Sequence, residues 1–389
     1  MIGIGAFYLT LKRLSLTFLI VFFALSCSHI PVHDKFDRRE QTHVRSNAVP
    51  FSKNSSGIFS VLFLGDILLA KNAEAMIRVH GSSHPFSGIQ DELSEYTFCV
   101  ANLETPVTSR GSILVPEKPF IFRIDKEIAD SISALEPSCL LIGNNHIMDY
   151  GAEGMRDTIK WINSNGWQHC GAGENLKLSC KPAIFRYGNV RIVLLSYNER
   201  PPVQFYAGEE SPGTAPLDPD IIRKDILSYK RPDTVIIINP HWGLEMTYRP
   251  TRAQRKLAHE IIDMGADAII GQHPHCPQRA EVYRGKIIFY SLGNFLAGYS
   301  DPSMEDNIAV ALHINSEAEI IRAEIIPVNG RYEDTDYTAS VLSGKRAARL
   351  FRHVDNLSKG FGVKMIREQN RAIVELNSMQ TGYSMSGGE

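Results

Sequence analysis

Between Val235 and Gly298 the chain alternates short apolar runs with polar punctuation. TVIIINP ends at His241, ADAIIG leads into His273, Pro274 and His275, and GKIIFYSLGNF follows as a further strand. Between the first two runs, residues Thr251 to Met264 place Ala253, Leu257 and Ile261, with Ala258 and Ile262 alongside, on one stripe that stops at Gly265. Strand, helix and strand with buried apolar runs make a parallel unit, and such units require an α/β fold with a covered sheet. His273 precedes proline, which steers it away from the helical region towards extended backbone. In an extended segment residues i and i+2 share a side, so His273 and His275 are expected to aim both imidazoles at one point.

The upstream half repeats the pattern. IFSVLFLGD closes on Gly65-Asp66, YTFCVANLE on Asn102 and Glu104, and CLLIGNNH on Asn144, Asn145 and His146. Polar residues at the carboxyl ends of buried strands lie where ligands bind in open α/β sheets. Asp66 fits that place or the N-cap of the helix-like segment that follows. Asn102 and Glu104 share one side by alternation, or close a turn before Pro106. The carbonyl of Asn145 is a metal ligand by type, His146 suits proton transfer, and Asp149 can orient that ring. Arg123 is either an anion contact or an ordinary surface arginine. The stretch after Gly151 has helical spacing at Met155, Ile159 and Ile162 and stops at Gly166, 220–229 reads as a further helix, 183–197 as a hairpin turning at Gly188-Asn189, and 198–219 as a long loop that is either a substrate-binding lid or a tolerated insertion. IAVALHI and AEIIRAEIIPV form an expected antiparallel pair.

Lys12 and Arg13 precede an apolar run from Leu14 to Leu25 that ends at Ser26-Cys27, the shape of an export signal. We therefore expect a signal peptide over 1–26, lipidation at Cys27, a polar tether over 27–57, a domain over 58–330 and a helical extension with a frayed tail over 331–389. An ordinary cleaved signal or an uncleaved anchor are the alternatives; each places the body outside the cytoplasm. The formal net charge of −2 and the lack of a basic run exclude nucleic acid as an expected partner. No CxxC occurs, so a thiolate zinc site is not indicated; Cys170 and Cys180 flank a Gly-rich loop and are a candidate pair.

The inventory at the strand ends is thus Asp66, Glu104, Asn145, His146, His241, His273 and His275. Such mixed oxygen and nitrogen donors suit zinc, manganese or iron, and are numerous enough for one or two divalent ions. Paired cations can clamp the attacking and leaving oxygens of a phosphoester.

In order, Gly65-Asp66, Asn102-Leu103-Glu104, Asn144-Asn145-His146 with Asp149 and Gly151, His241-Trp242-Gly243 with Glu245, Gly265-Ala266-Asp267, His273-Pro274-His275 with Gln278, and Tyr290 to Phe295 resemble the motifs of the CapA-type capsule-synthesis and poly-gamma-glutamate-synthesis family. The resemblance implies a four-layer α-β-β-α metallophosphoesterase-like sandwich with two mixed sheets. It implies metal ligation by Asp66, Glu104, Asn145, His241, His273 and His275, catalysis by His146 with Asp149, and substrate contacts from Asn102, Arg123, Glu245, Gln278 and Asn294. Expected partners are an anionic envelope polymer or its phosphorylated precursor, the membrane through a lipid anchor, and other polymer-synthesis subunits. Two functions follow: a metal-dependent hydrolase, or a non-catalytic polymer-binding accessory. Leu68 and Gln272 stand where the wider calcineurin-like phosphoesterases and many family members, respectively, carry a further histidine.

Overall fold

The computed structural model describes residues 57–299 and 305–376. The expected signal peptide, Cys27 and nearly all of the tether lie outside the described residues, as does the tail after residue 376. The first half runs β1 (Phe59–Leu68), α1 (Asn72–His80), α2 (Gln90–Leu93), β2 (Phe98–Leu103), α3 (Lys126–Ala129), β3 (Cys139–Leu141), α4 (Gly151–Ser164), β4 (Gln168–Cys170), β5 (Ala172–Gly173), α5 (Leu176–Ser179), β6 (Ala183–Tyr187) and β7 (Val190–Asn198). The second runs β8 (Gly213–Thr214), α6 (Pro219–Tyr229), β9 (Thr234–His241), α7 (Arg252–Met264), β10 (Ala268–Ile270), β11 (Ala280–Tyr283), β12 (Lys286–Phe289), β13 (Asn294–Ala297), β14 (Asn307–Ile314), β15 (Ile320–Val328), α8 (Gly344–Ser358), β16 (Met365–Glu368) and β17 (Arg371–Glu375).

Two mixed sheets carry the molecule. One is ordered β16-β17-β15-β14-β1-β2-β3-β4, with β13 pairing the end of β1; the other is β11-β12-β10-β9-β7-β6. Alternation along the strands sets the layers. Val61 and Phe63 of β1 pack with Val235 and Ile237 of β9 between the sheets. Leu62 and Leu64 face outward to Ile77 of α1 and Met155 and Ile162 of α4. Ile236 and Ile238 face Ile222 and Ile226 of α6 and Ala258 and Ile261 of α7. Three apolar layers between four structural ones give the α-β-β-α sandwich expected from the motifs.

Most elements agree with their patterns. The β9-α7-β10 unit is parallel, β6-β7 is a hairpin, and β14 and β15 pair antiparallel. In α7 the stripe is shifted: Ala253 is exposed and Gln254 buried. The cause is a capping box, in which Thr251 and Gln254 satisfy each other's backbone N–H groups and turn Gln254 inward. The segment after 330 is more than a helix. Ala347, Leu350, Phe351 and Val354 of α8 enter the inter-sheet core as their spacing implies, but β17 pairs with β15 and lengthens the large sheet. MIRE-Q-N-RAIVE is too short and too charged to stand out as strands; an existing sheet edge supplies its partners.

One close approach aligns the functional strand. A Cβ on Gly65 would lie 2.1 Å from the Gly293 carbonyl oxygen, so only glycine lets β1 and the Gly293 turn meet. Past Phe63, β1 exchanges β14 for β13, with register shifts on either side of Asp66. The shift turns Asp66 into the cleft at the strand ends.

Candidate metal centre

Five segments converge there. Asp66 and the strand-end pair Asn102 and Glu104 come from β1 and β2; the helix α1 starts at Asn72 after Lys71, so Asp66 is not its cap. Leu103 between them points into the outer core. Asn145 and His146 come from the turn after β3, His241 from the end of β9, and His273 and His275 from the loop after β10.

The histidine pair reaches its place by a different route from the expected one. His273 has φ 97 and His275 φ 57, so neither is extended. The loop turns left-handed on both sides of Pro274, a conformation that non-glycine residues adopt at a cost of about 1–3 kcal/mol each. Main-chain bonds hold it there: Pro274 O accepts from Met246 N at 2.9 Å, and His273 N donates to Asp66 Oδ2 at 3.3 Å. The two rings still share the cleft, with centroids 5.7 Å apart and the His241 ring 4.8 Å from His273.

Glu104 is the hub. Its Oε1 lies 3.3 Å from His241 Nε2, and its Oε2 lies 3.9 Å from His275 Nδ1. Neither oxygen makes a hydrogen bond, although the side chain is fully buried. Both ring nitrogens of His273 are likewise buried without a partner. Ligand atoms of Glu104, His273 and His275 lie within 4.8 Å of one another. Two further donors flank this core. Asn145 Oδ1 is 2.8 Å from His241 Nε2, and Asp66 Oδ2 is 3.4 Å from His275 Nδ1. Buried polar atoms left unsatisfied in a protein interior are rare and unfavourable. The unsatisfied oxygens of Glu104 and ring nitrogens of His273, gathered with His275 within 4.8 Å, fit a cation.

The electrostatics agree. Burial raises the Glu104 carboxyl above its ordinary range against the pull of His275, His146 and Lys118. Burial lowers His241 to about 3; Asp66 opposes the shift, and the charges of His275, Arg200 and Lys118 reinforce it. Burial, with His241, His275 and Arg200, also holds His273 well below its usual value. His241 and His273 are therefore neutral imidazoles, the ligating form. His275 goes the other way: burial lowers it, but Glu104 and Asp66 outweigh burial and lift it to about 10. Three acceptors surround its Nδ1, since Asn294 Oδ1 is also 2.8 Å away. An imidazolium sits where a metal would place its own charge.

His146 stands beside this core with Asp149 beneath it. Asp149 Oδ2 lies 2.8 Å from His146 Nδ1 and accepts from Phe122 N at 2.8 Å. Lys118, buried and absent from every sequence pattern, donates to Asn145 O and Asp149 Oδ1 at 2.6 Å each. Its Nζ is also 2.8 Å from His146 Nδ1. One nitrogen cannot both donate to Asp149 and accept from an ammonium. The carboxylate takes the ring proton, and the ammonium has two acceptors already. Among the described residues no hydrogen bond engages His146 Nε2, so that atom is free for water or substrate. Burial lowers the His146 pKa, Asp149 raises it and Lys118 lowers it again.

The remaining expected contacts divide. Asn102 donates to Asp66 Oδ1 at 2.7 Å, and Asn294 holds His275; both position ligands. Glu245 is half exposed at the mouth, 4.0 Å from His273 Nε2. Arg123 is not in the cleft: it is exposed and stacks on Tyr150, its guanidinium 4.6 Å from the ring centroid. Gln278 is buried, and its amide braces the Glu245-bearing loop by donating to Thr247 O at 2.6 Å. The described cysteines are free thiols; burial and pairing place Cys170 beside Cys139 rather than Cys180. Lys118 lacks a sequence signal because PEKPF lies in a loop with no periodicity, and its burial comes from the turn folding over it.

Comparison with known proteins places this geometry. The family described as bacterial capsule synthesis protein PGA_cap matches residues 60–299. The capsule biosynthesis protein CapA of Bacillus anthracis is 30% identical over 319 residues, covering 78% of this chain and 76% of that protein. The PGA biosynthesis protein CapA of Bacillus subtilis is 30% identical over 276 residues, covering 71% and 72%. Among solved structures, a phosphatase from Mycoplasma pneumoniae aligns with 12% identity and a TM-score of 0.46, covering 71% of this chain and 95% of that one. With every cleft residue from Asp66 to Asn294 inside the matched span, the chain belongs to the bacterial capsule synthesis protein family PGA_cap.

Proposed function

We propose that the protein acts in the synthesis of a capsule-type anionic polymer as a metal-dependent phosphoester hydrolase. The observation that carries the reading is the buried, mutually unsatisfied set of Glu104 and His273, ringed by His241, His275, Asn145 and Asp66. Glu104 stands between His241, with Asn145 beside it, and His275, with Asp66 beside it, and the ligand atoms of His273 and His275 lie within 4.8 Å of its carboxylate. Divalent cations held by these residues would polarise phosphoryl oxygens and supply hydroxide at neutral pH. Zinc, manganese and iron all suit the donor set.

His146 is the proton carrier. Its Nδ1–H is tied to Asp149, its ring packs 4.7 Å from Phe122, and its free Nε2 meets the leaving oxygen or the attacking water. Lys118 and Asp149 hold the ring in one orientation. Asn102 and Asn294 orient Asp66 and His275, as supporting partners of metal ligands do. The export-like N-terminal sequence, with Cys27 as its lipid attachment point, supports an extracytoplasmic, membrane-anchored protein working beside other polymer-synthesis subunits. The names of its Bacillus relatives support the polymer.

The test is metal analysis followed by turnover on a panel of phosphomonoesters and phosphodiesters. The metal-loaded protein should hydrolyse at least one of them. His273→Ala should lose metal, whereas His146→Ala should keep metal and lose about 10²–10⁴ in kcat. A metal-free wild type, or a loaded one that turns over nothing on the panel, rejects the reading.

A further inference from the structure

The helix α8 divides its side chains between two environments. Ala347, Leu350, Phe351 and Val354 enter the inter-sheet core, while Lys345, Arg349 and Arg352 stand exposed on the opposite stripe. Between Asp336 and Asp355 the chain carries four basic residues and no acidic one, although its formal net charge is −2. Lys345, Arg346 and Arg349 face the turn bearing Arg331 and Asp334 across a hollow of about 370 Å³. Two of these cations are already matched: Arg346 grips Asp306 with bonds of 2.6 and 2.8 Å, and Arg331 lies 3.3 Å from Asp334. Among the described residues Lys345 and Arg349 form no ion pair, whereas their neighbour Arg346 does.

The hollow borders the metal centre on two sides. Tyr332, next to Arg331, is buried and donates through its hydroxyl to Asn294 O at 3.0 Å, and Asn294 Oδ1 lies 2.8 Å from His275 Nδ1. His353, one turn beyond Arg349, packs edge-on against Tyr248 with ring centroids 4.9 Å apart, and Tyr248 belongs to the loop that carries Glu245 to the cleft mouth. Beyond Arg349 the character changes, because Glu305 and Asp306 line the next hollow; the attraction for anions is confined to the side between Arg331 and Arg349. Cations gathered around a concavity focus the potential there and raise the local concentration of an anion. A single carboxylate gains little from one exposed cation, but a chain of successive carboxylates meets several at once and the small gains accumulate. A membrane surface fits less well. Basic surfaces that rest on lipid carry apolar side chains among their charges, and none of the large exposed apolar side chains among the described residues lines this hollow.

We propose that the hollow formed by Arg331, Lys345, Arg346 and Arg349 binds a carboxylate-bearing polymer chain beside the metal centre, with Lys345 and Arg349 as the contact cations. The inference rests on the anionic-polymer part of the function proposed above, and goes further by giving the polymer a site of its own on α8, apart from the metal ligands. No bond is made or broken there; the hollow retains the chain next to the cleft.

The test uses the full-length protein, both metal-loaded and chelated, with polyglutamate as the probe in calorimetry at low salt. The wild type should bind in both forms, and added salt should weaken the binding. The double variant Lys345→Gln/Arg349→Gln should bind about fivefold more weakly or worse, the combined scale of two exposed charge contacts, with metal content and thermal stability unchanged. Lys345→Arg/Arg349→Lys keeps both charges and should bind as the wild type does, which guards against a merely misfolded variant. Vesicles containing phosphatidylglycerol serve as the membrane counterpart. No polyglutamate binding by the wild type, unchanged affinity in the glutamine variant, or binding to the vesicles through Lys345 and Arg349 without polymer binding overturns the proposal. Polymer binding that depends on both residues in a protein that hydrolyses nothing would keep this inference and reject the hydrolase.

Discussion

Lys118→Met tests whether the turn carrying Asn145 and His146 is held by charge. The Lys118 and Asp149 side chains are 8% and 0% exposed, and Nζ lies 2.6 Å from Oδ1. Removing one partner of a buried pair costs about 3–5 kcal/mol, because the other charge stays buried without compensation. Here Asp149 keeps bonds from Phe122 N and His146 Nδ1, which places the expected loss near the lower end of that range. Equilibrium denaturation of the chelator-treated protein reads it without interference from metal affinity. The double variant Lys118→Met/Asp149→Asn should recover part of the loss, with a coupling of at least about 2 kcal/mol, within the span seen for residues in contact. A second readout concerns His146. Lys118 is one of the charges that lower its pKa, so the ring should titrate at higher pH in Lys118→Met, as followed by NMR of that histidine. A loss below about 1 kcal/mol with no coupling to Asp149, and an unmoved His146, would show that the pair is not the clamp described.

Metal binding should release a proton, because His275 is protonated to about pH 10 without metal. Affinity should therefore rise with pH across neutrality by about tenfold per unit, and calorimetry in buffers of different ionisation enthalpy should count about one proton near pH 7.5. The same shift predicts how the metal-free fold behaves. The folded pKa of His275 is above its unfolded value of 6.5, so its stabilisation is fully present below pH 6.5 and fades as pH rises towards 10. Chelated protein should lose thermal stability over that interval, and loaded protein should not. Gly65→Ala places a Cβ 2.1 Å from the Gly293 carbonyl oxygen, and should destabilise by about 1–3 kcal/mol and reduce metal content. Normal stability and metal content in that variant would refute the close approach.

The α/β class was legible because its strands are continuous apolar runs that need no distant information, whereas the four-layer sandwich was implied by the resemblance of the motifs. Val61 and Phe63 against Leu62 and Leu64 already imply two buried faces, and a strand buried on both faces implies helices outside it. The donor types were legible for a similar reason, as polar residues closing apolar runs have few places to go but the cleft. The hairpin after α8 was hidden because its pairing depends on the free edge of β15 rather than on its own composition.

What the sequence by itself determined is therefore the set of strands buried on both faces and the list of groups at the strand ends, both products of local patterning, while the number of layers followed from the resemblance of its motifs. Only the tertiary structure decided their roles. It brought His273 and His275 together through left-handed backbone rather than an extended one, and sent Arg123 out to Tyr150. It also buried the Lys118 side chain under the His146 turn. Charge, burial and partnership are properties of neighbours distant in sequence, and a linear pattern carries no record of them until the chain closes on itself.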